Sequence, residues 1–458
     1  MLTELRIQNF KAWRDTGDLR LAPLTILFGN NSSGKSSIHQ FLLMLQQTVE
    51  SPDRRRVLHF GDAATPVDLG GYADVVNGHD ITHPLKFSLG WRLAEPLVVK
   101  DAKSGARYTG STMQFSAEIS PLGNRPPRLV VGEFDYRLAG NGRELELGLR
   151  RDAKGAYTLT SDGYQPVTVL GRKWPVSQPS NFHGFPDDIS NRFQNLEFTS
   201  DLTLALETEL GSMSYLGPLR DYPDRLYRWS GEEPQDVGWR GERTVDALLA
   251  GADRRFNRKA RQRLRPLQVL VADWLKQLGL IDSFSVKPIG EERDEYEVRV
   301  RTPGRDQEEL LTDVGFGVSQ VLPVIVQCFY AHPDATVILE QPEIHLHPGA
   351  QAGLADLFLD ALRIREEGET RDLQLIVESH SEHLLRRLLR RVAEEDLLLP
   401  DVAIYVVRGG RTGSTIEPLA IDEYGNVLNW PPGFFGDPLE DVTAQAERAV
   451  ERRLAALP

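Results

Sequence analysis

The stretch GNNSSGKSS, Gly29 to Ser37, constrains this chain more than any other. Gly29-Asn-Asn-Ser-Ser-Gly34-Lys35-Ser36 satisfies G-x-x-x-x-G-K-[ST] at every fixed position. The apolar run LTILF precedes it, and IHQFLLMLQQTV follows with helical spacing. Strand, glycine loop, helix is the context that this motif requires. The backbone N–H groups of Gly29, Asn30, Asn31, Ser32, Ser33, Gly34, Lys35, Ser36 and Ser37 can curl around a β-phosphate beside a helix N-terminus. Lys35 reaches the β and γ oxygens, and the Ser36 hydroxyl is a magnesium ligand. The motif therefore implies ATP and Mg2+ as ligands.

Composition bounds the rest. The chain has 458 residues, 40% hydrophobic and 26% charged. That is the profile of an ordinary globular protein with room for a large core. A net charge of -13 repels nucleic acid as a whole, so a nucleic-acid role needs a local basic surface. The one cysteine, Cys328, lies in the apolar run VLPVIVQCFY. A lone thiol excludes an internal disulfide and a cysteine zinc cluster, and points to a reducing cytoplasm. MLTELRIQNFKAWRD does not read as a signal peptide. No apolar run approaches the ~20 residues of a membrane span.

Residues 1 to 28 read as strands, with LTELRIQNF alternating apolar and polar side chains. From about 85 to 200, PLKFSLGWRL, STMQFSAEIS, FDYRLAG and LELGLRR alternate between Gly, Asn and Asp turns. That pattern predicts a mostly antiparallel sheet inserted after the P-loop helix. Residues 244 to 280 carry a helical pattern, and EYEVRVR reads as a strand. VGFGVSQVLPVIVQCFY reads as a loop and then a buried helix. ATVILE, LQLIVES and AIYVVRGG read as short buried strands of the parallel type. The expected division is a core part with the phosphate loop at 1–84, a β-rich insertion at 85–200, and a helical and linking segment at 201–304. A second core part at 305–410 and a tail at 411–458 complete it.

DRRFNRKARQRLRPL, residues 253 to 267, is the one dense basic segment, with Arg254, Arg255, Arg258, Lys259, Arg261, Arg263 and Arg265. As a helix it would present several of these to nucleic-acid phosphates, and as an ordinary solvated face it would pair them with acids elsewhere. Arg220 and Arg225, in GPLRDYPDR, could touch nucleotide, touch a partner subunit, or be ion-paired. LLRRLLRR at 384 to 391 reads as an amphipathic packing helix.

LTELRIQNFKAW leading into PLTILFGNNSSGKSS resembles the start of the ABC-type ATPases of the SMC, RecF and OLD group. VILEQPEIHLHP, Val337 to Pro348, resembles that group's Walker B segment, usually apolar residues followed by D-E-P-E-x-H-L-H-P. The resemblance places Glu340 at the magnesium-linked acid and Gln341 at the usual catalytic glutamate. Glu340 keeps the charge and adds one methylene. Gln341 can orient water by hydrogen bonding but cannot take its proton. Glu343, near the Pro342 turn, can supply that carboxylate, or serve in a salt bridge or helix cap. His345 and His347 would share one side of a strand, with Glu343 as a third metal ligand, but the resemblance accounts for them without metal. Ser379-His380 ends an apolar strand resembling the group's switch strand, which makes His380 the γ-phosphate sensor and leaves His383 structural. LLTDVGFGVSQVLP fills the place of the ABC signature with a non-LSGGQ spelling. It offers Gly315, Gly317 and Ser319 at a second anion-binding helix start. In the group this element closes over the partner subunit's γ-phosphate, which implies a head-to-tail homodimer.

EQPEIHLHP, GFGVSQVLP, SYLGPLRDYPDRLY at 214 to 227 and NWPPGFFGDP at 429 to 438 together resemble a subgroup of bacterial AAA/ABC-type ATPases. That subgroup ends in a short C-terminal domain of unknown function. No acidic cluster of the OLD nuclease kind follows residue 400, so any nuclease would be a partner. The WPPGFF tail docks such an effector or is a strapped-down terminus. The expected fold is α/β: an ABC-type P-loop ATPase core of mixed β-sheet with flanking helices, split by a β-rich region and a helical segment. The expected function is slow ATP hydrolysis by a cytoplasmic homodimer that signals to a nucleic-acid or effector partner in antiphage defence or DNA maintenance. A scaffold that binds ATP without turnover is the first alternative, motivated by Gln341. A transporter ATPase subunit is the second, and the signature spelling, the insertion and the tail count against it.

Overall fold

The computed structural model describes residues 1–101, 103–123, 127–140, 144–169, 175–258, 262–290, 293–411, 413–431 and 438–455. Lys259, Arg261 and residues 432–437 of the WPPGFF tail lie outside them.

A six-stranded sheet positions the nucleotide motifs. Its order is Met213–Leu216, Thr336–Glu340, Gln374–Ser379, Leu24–Gly29, Val402–Arg408, Thr415–Pro418. The first five strands run parallel, and Thr415–Pro418 adds an antiparallel edge. Every residue of Leu24–Gly29, Thr336–Glu340 and Gln374–Ser379 is buried. These strands read as continuous apolar runs because helices cover both faces of a parallel sheet. Leu24, Ile26, Val337, Leu339, Leu375 and Val377 pack with the helices Phe316–Tyr330 and Pro348–Arg363 in one core.

The second large sheet is antiparallel. The strands Leu85–Lys100, Arg107–Leu122, Arg128–Ala139, Leu145–Arg151 and Tyr157–Asp162 form a meander. Its period-2 burial places Phe87, Phe115, Phe134 and Tyr136 in a second core with Phe41 of the P-loop helix. Leu2–Phe10 pairs with Leu85–Lys100, so the expected boundary at 84/85 runs through a single sheet.

Residues 201–304 are more than helix and linker. The helix Thr199–Gly211 feeds Met213–Leu216, which joins the parallel sheet, and Ser283–Pro288 pairs with Glu295–Arg301 as a hairpin. The helix expected over 244–280 is also corrected. Thr244–Ala250 and Leu267–Gln277 are helical, but Arg255–Asn257 is a strand that pairs with Arg265–Pro266 and Arg365–Glu366. Pro266 lacks the N–H that a continuous helix would use, and strand pairing takes over the backbone on its N-terminal side.

Candidate functional site

The phosphate loop leaves Leu24–Gly29 at its C-terminal end and enters the helix Lys35–Val49. Gly29 has φ 156°, and a Cβ there would lie 2.3 Å from the Val407 carbonyl oxygen. Gly34, at the helix N-cap, has φ 102°. Both positions therefore need glycine. Asn30, Asn31 and Ser32 are exposed, and Lys35 and Ser33 are buried. Lys35 Nζ donates to the carbonyls of Gly29 at 3.0 Å and Asn30 at 2.9 Å. It also lies 3.5 Å from Glu378 Oε1. Burial lowers the Lys35 pKa, and Glu378, Glu340 and Glu343 partly offset that. Ser36 Oγ donates to Glu378 Oε2 at 2.7 Å.

Sheet register explains Glu378. On the parallel strands Thr336–Glu340 and Gln374–Ser379, Glu340 stands opposite Glu378. Adjacent parallel strands lie about 4.8 Å apart, so two residues far apart in sequence place their carboxylates side by side at the strand ends. Ligands of open parallel sheets sit beyond those C-terminal ends. Tyr215 OH donates to Glu340 Oε1 at 3.2 Å. Magnesium fits this set, because Ser36 and Glu340 offer the hard oxygen donors it takes.

Gln341 follows with φ 45°, its N–H donating to the Glu378 carbonyl at 2.9 Å. That turn lifts Gln341 off the strand and folds Glu343 back to the switch strand. The His380 N–H donates to Glu343 Oε1 at 2.6 Å. Glu343 Oε2 is buried with no hydrogen-bond partner among the described residues. Burial raises the Glu343 pKa, against the lowering effect of the His380 N–H. The His380 ring is partly buried, its Nε2 has no hydrogen-bond partner among the described residues, and burial and Lys35 lower its pKa. Thus Lys35, Ser36, Glu340, Glu343 and His380 converge at the C-terminal ends of three adjacent parallel strands, with the Gln341 backbone at the turn beside them.

The strand ends at Glu340, so His345 and His347 lie on a turn and not on one strand side. His347 caps the helix Pro348–Arg363, its Nδ1 accepting from the Gly349 N–H at 3.3 Å. His345 packs its ring 4.9 Å from that of Phe316. The proposed metal trio of Glu343, His345 and His347 does not assemble. The signature helix starts at Phe316, after Gly315. Ser319 Oγ donates to the Phe316 carbonyl at 2.9 Å, and a Cβ on Gly317 would lie 3.3 Å from the His345 carbonyl oxygen. Within this one chain the hydrogen bonds of Gly315 and Ser319 stay inside their own helix start.

Arg220 resolves toward the backbone. Its guanidinium is buried and donates to the carbonyls of Gln320 at 3.2 Å, Glu340 at 3.0 Å and Gln341 at 3.4 Å. Burial lowers its pKa to about 10. Arg225 pairs with Asp313 at 2.6 Å. In the basic segment, Arg254 pairs with Glu366, Arg258 with Asp360 and Arg265 with Asp273. Arg387 and Arg391 of LLRRLLRR both bind Asp356, which ties Glu382–Ala393 to Pro348–Arg363.

A model of the family described as "AAA domain, putative AbiEii toxin, Type IV TA system" matches residues 129–386, more than half of the 458-residue chain. The chain belongs to this AAA family. The match takes in the signature, Walker B and switch segments, with the P-loop before it. A second model, "Protein of unknown function (DUF3696)", matches residues 400–445 of this AAA protein. Its fold is α/β, a P-loop core of mixed β-sheet with flanking helices, as the motifs imply. No curated protein matches it significantly. Among solved structures, it is similar to the SMC head domain from Thermotoga maritima, at TM-score 0.40 and 11% identity, covering 92% of this chain and 99% of that one. An SmcHead bound to the C-winged helix domain of ScpA gives 0.43 and 11%, covering 92% and 98%. An Smc head with an extended coiled coil, bound to the C-terminal domain of ScpA derived from Pyrococcus furiosus, gives 0.40 and 9%, covering 98% and 99%.

Sequence reasoning passed over three neighbours of the site: Glu378, His39 and Tyr215. Glu378 left a signal, being the one charge in the buried run LQLIVES. His39 is fully buried on the P-loop helix.

Proposed function

We propose that the protein binds ATP with magnesium and hydrolyses it slowly as a head-to-tail homodimer. The convergence of Lys35, Ser36, Glu340, Glu343 and His380 beyond three adjacent parallel strands carries this reading. The backbone of Gly29–Ser37 cradles the β-phosphate, and Lys35 exchanges its two loop carbonyls for phosphate oxygens. Magnesium, held by Ser36 and Glu340, would neutralise phosphate charge. Gln341 orients the water, and Glu343 Oε2 takes its proton. His380 reads the γ-phosphate from the C-terminal end of the strand Gln374–Ser379.

The signature residues Gly315, Gly317 and Ser319 serve the partner's nucleotide. Beside them the Tyr222 ring lies 5.0 Å from that of Phe316 and is 77% exposed, and Leu219, in the same loop, is 80% exposed. Exposed aromatics of this kind suit a protein interface. Dimer opening and closure would signal to an effector, a nuclease being the proposed kind. The family description names a toxin of a type IV TA system, which suits a bacterial defence setting. Contact with nucleic acid through 253–267 would fall to exposed Arg263 and the exposed sides of Arg255 and Arg258. A second reading, an ATP-binding switch with little turnover, rests on Gln341 in place of a carboxylate.

Steady-state ATP hydrolysis by the purified chain, with Lys35→Ala as blank, tests the proposal. Turnover above the blank supports hydrolysis. ATP binding without turnover supports the switch, and absence of ATP binding overturns both.

A further inference from the structure

The floor of the site holds more ligand chemistry than a phosphate loop needs. His39, one turn into the P-loop helix, is fully buried, and neither ring nitrogen has a hydrogen-bond partner among the described residues. Its Nδ1 faces Glu340 Oε1 at 3.5 Å and Glu378 Oε2 at 3.9 Å. One ligand atom from each of His39, Glu340 and Glu378 lies within 4.8 Å of the others. Among the described residues this is the one group of three or more His, Cys, Asp or Glu side chains so arranged.

A buried imidazole with two idle nitrogens is unusual, because buried polar groups are ordinarily paired. This one points at two buried carboxylates. Those carboxylates have few partners: Lys35 at 3.5 Å from Glu378, the Ser36 hydroxyl on Glu378, and the Tyr215 hydroxyl on Glu340. Lys35 offsets one of the two carboxylates, and the negative charge that remains buried calls for a further counter-ion. Donor atoms on a shared divalent ion sit about 3 Å apart, given bonds of about 2.1 Å. Side-chain torsions of the two glutamates can close the present separations to that.

We propose that His39, Glu340 and Glu378 bind a divalent first-row transition ion, in preference to magnesium and without nucleotide. The imidazole decides the class. Magnesium takes oxygen donors, whereas nitrogen with carboxylate suits Mn2+, Fe2+ and Zn2+. The Irving–Williams order then places Zn2+ above Mn2+, and Mg2+, which takes oxygen donors and dehydrates reluctantly, falls below both.

The test uses the full chain without ATP. Mn2+ is titrated by EPR, Zn2+ and Mg2+ compete for the site, and pulsed EPR reads nitrogen coupling to Mn2+. The expected result is Mn2+ binding at least about tenfold tighter than Mg2+, with a nitrogen modulation. In His39→Leu the modulation disappears and Mn2+ affinity falls about 10–100-fold. Glu378→Gln weakens Mn2+ without removing the nitrogen signal. Should His39→Leu fail to fold, His39→Gln replaces it, and the wild-type nitrogen signal decides independently. Mn2+ bound no tighter than Mg2+, absence of nitrogen coupling, or unchanged binding in the folded His39 variant would each overturn the proposal. None of these readouts involves nucleotide, so failure here is distinct from failure of the ATPase reading.

Discussion

Replacing Glu343 by glutamine separates the two candidates for handling the attacking water. The two side chains have the same shape. Glu343 Oε1 already accepts the His380 N–H at 2.6 Å, and the amide oxygen of glutamine can accept it equally. The loss therefore falls on Oε2, the oxygen without a partner, which becomes an amide nitrogen unable to take a proton. General-base contributions run from about 10²- to 10⁴-fold. With positioning retained the lower end applies, about 100-fold in kcat or about 2.7 kcal/mol. ATP affinity should hold within a few-fold, because Oε2 makes no bond to the loop.

The pH profile adds a second arm. Burial raises the Glu343 pKa above its ordinary 4.5. The base must be ionised, so wild-type kcat should climb with pH through that raised value, and the variant should lose this limb. Stability moves oppositely. A carboxyl whose folded-state pKa is raised lends stability below its unfolded value and loses it as pH rises through the folded one. Glu343→Gln should thus melt higher than wild type at pH 7.5, with the gap closing toward pH 4.5. The assay is coupled phosphate release and thermal melts across this range. A kcat within twofold of wild type, alongside a large loss in Gln341→Ala, would refute the assignment and give the water to Gln341.

Two further outcomes follow from packing and exposure. Gly29→Ala sets a Cβ 2.3 Å from the Val407 carbonyl oxygen, which should cost about 3 kcal/mol in urea unfolding, whereas Gly211→Ala, with nothing within 4 Å of the new atom, should be neutral or slightly stabilising. Leu219→Asp alters a side chain that is 80% exposed, so unfolding should shift by under about 0.5 kcal/mol while the ATP-dependent dimer weakens tenfold or more in light scattering.

Local pattern made the phosphate loop, the meander and the buried parallel strands legible. LELGLRR alternates as a half-buried strand should, and VILE and LIVE are apolar because helices cover both sheet faces. Pairing between distant segments was not legible. Nothing in MSYL announces a core strand, since four residues carry no period, and its place comes from Val337–Leu339 alongside. Glu378 entered the site through register with Glu340. His39 sat among helix residues whose spacing said only that it faces inward. In 253–267, arginine content suggested a charged helix, but pairing with Arg365–Glu366 overrode propensity. Acids from other segments then took up Arg254, Arg258 and Arg265.

Arg220 gives the molecule a mechanical coupling. One flat, rigid ion fastens the loop Gly217–Tyr222 to the peptide planes of Glu340 and Gln341 and to Gln320 of the signature helix. Lysine, a point donor on a flexible stem, could not span three divergent carbonyls. The same loop holds Leu219 and Tyr222 out to solvent. Whatever seats on that outer loop therefore grips, through a single guanidinium, the peptide that leads into the Gln341–Glu343 turn.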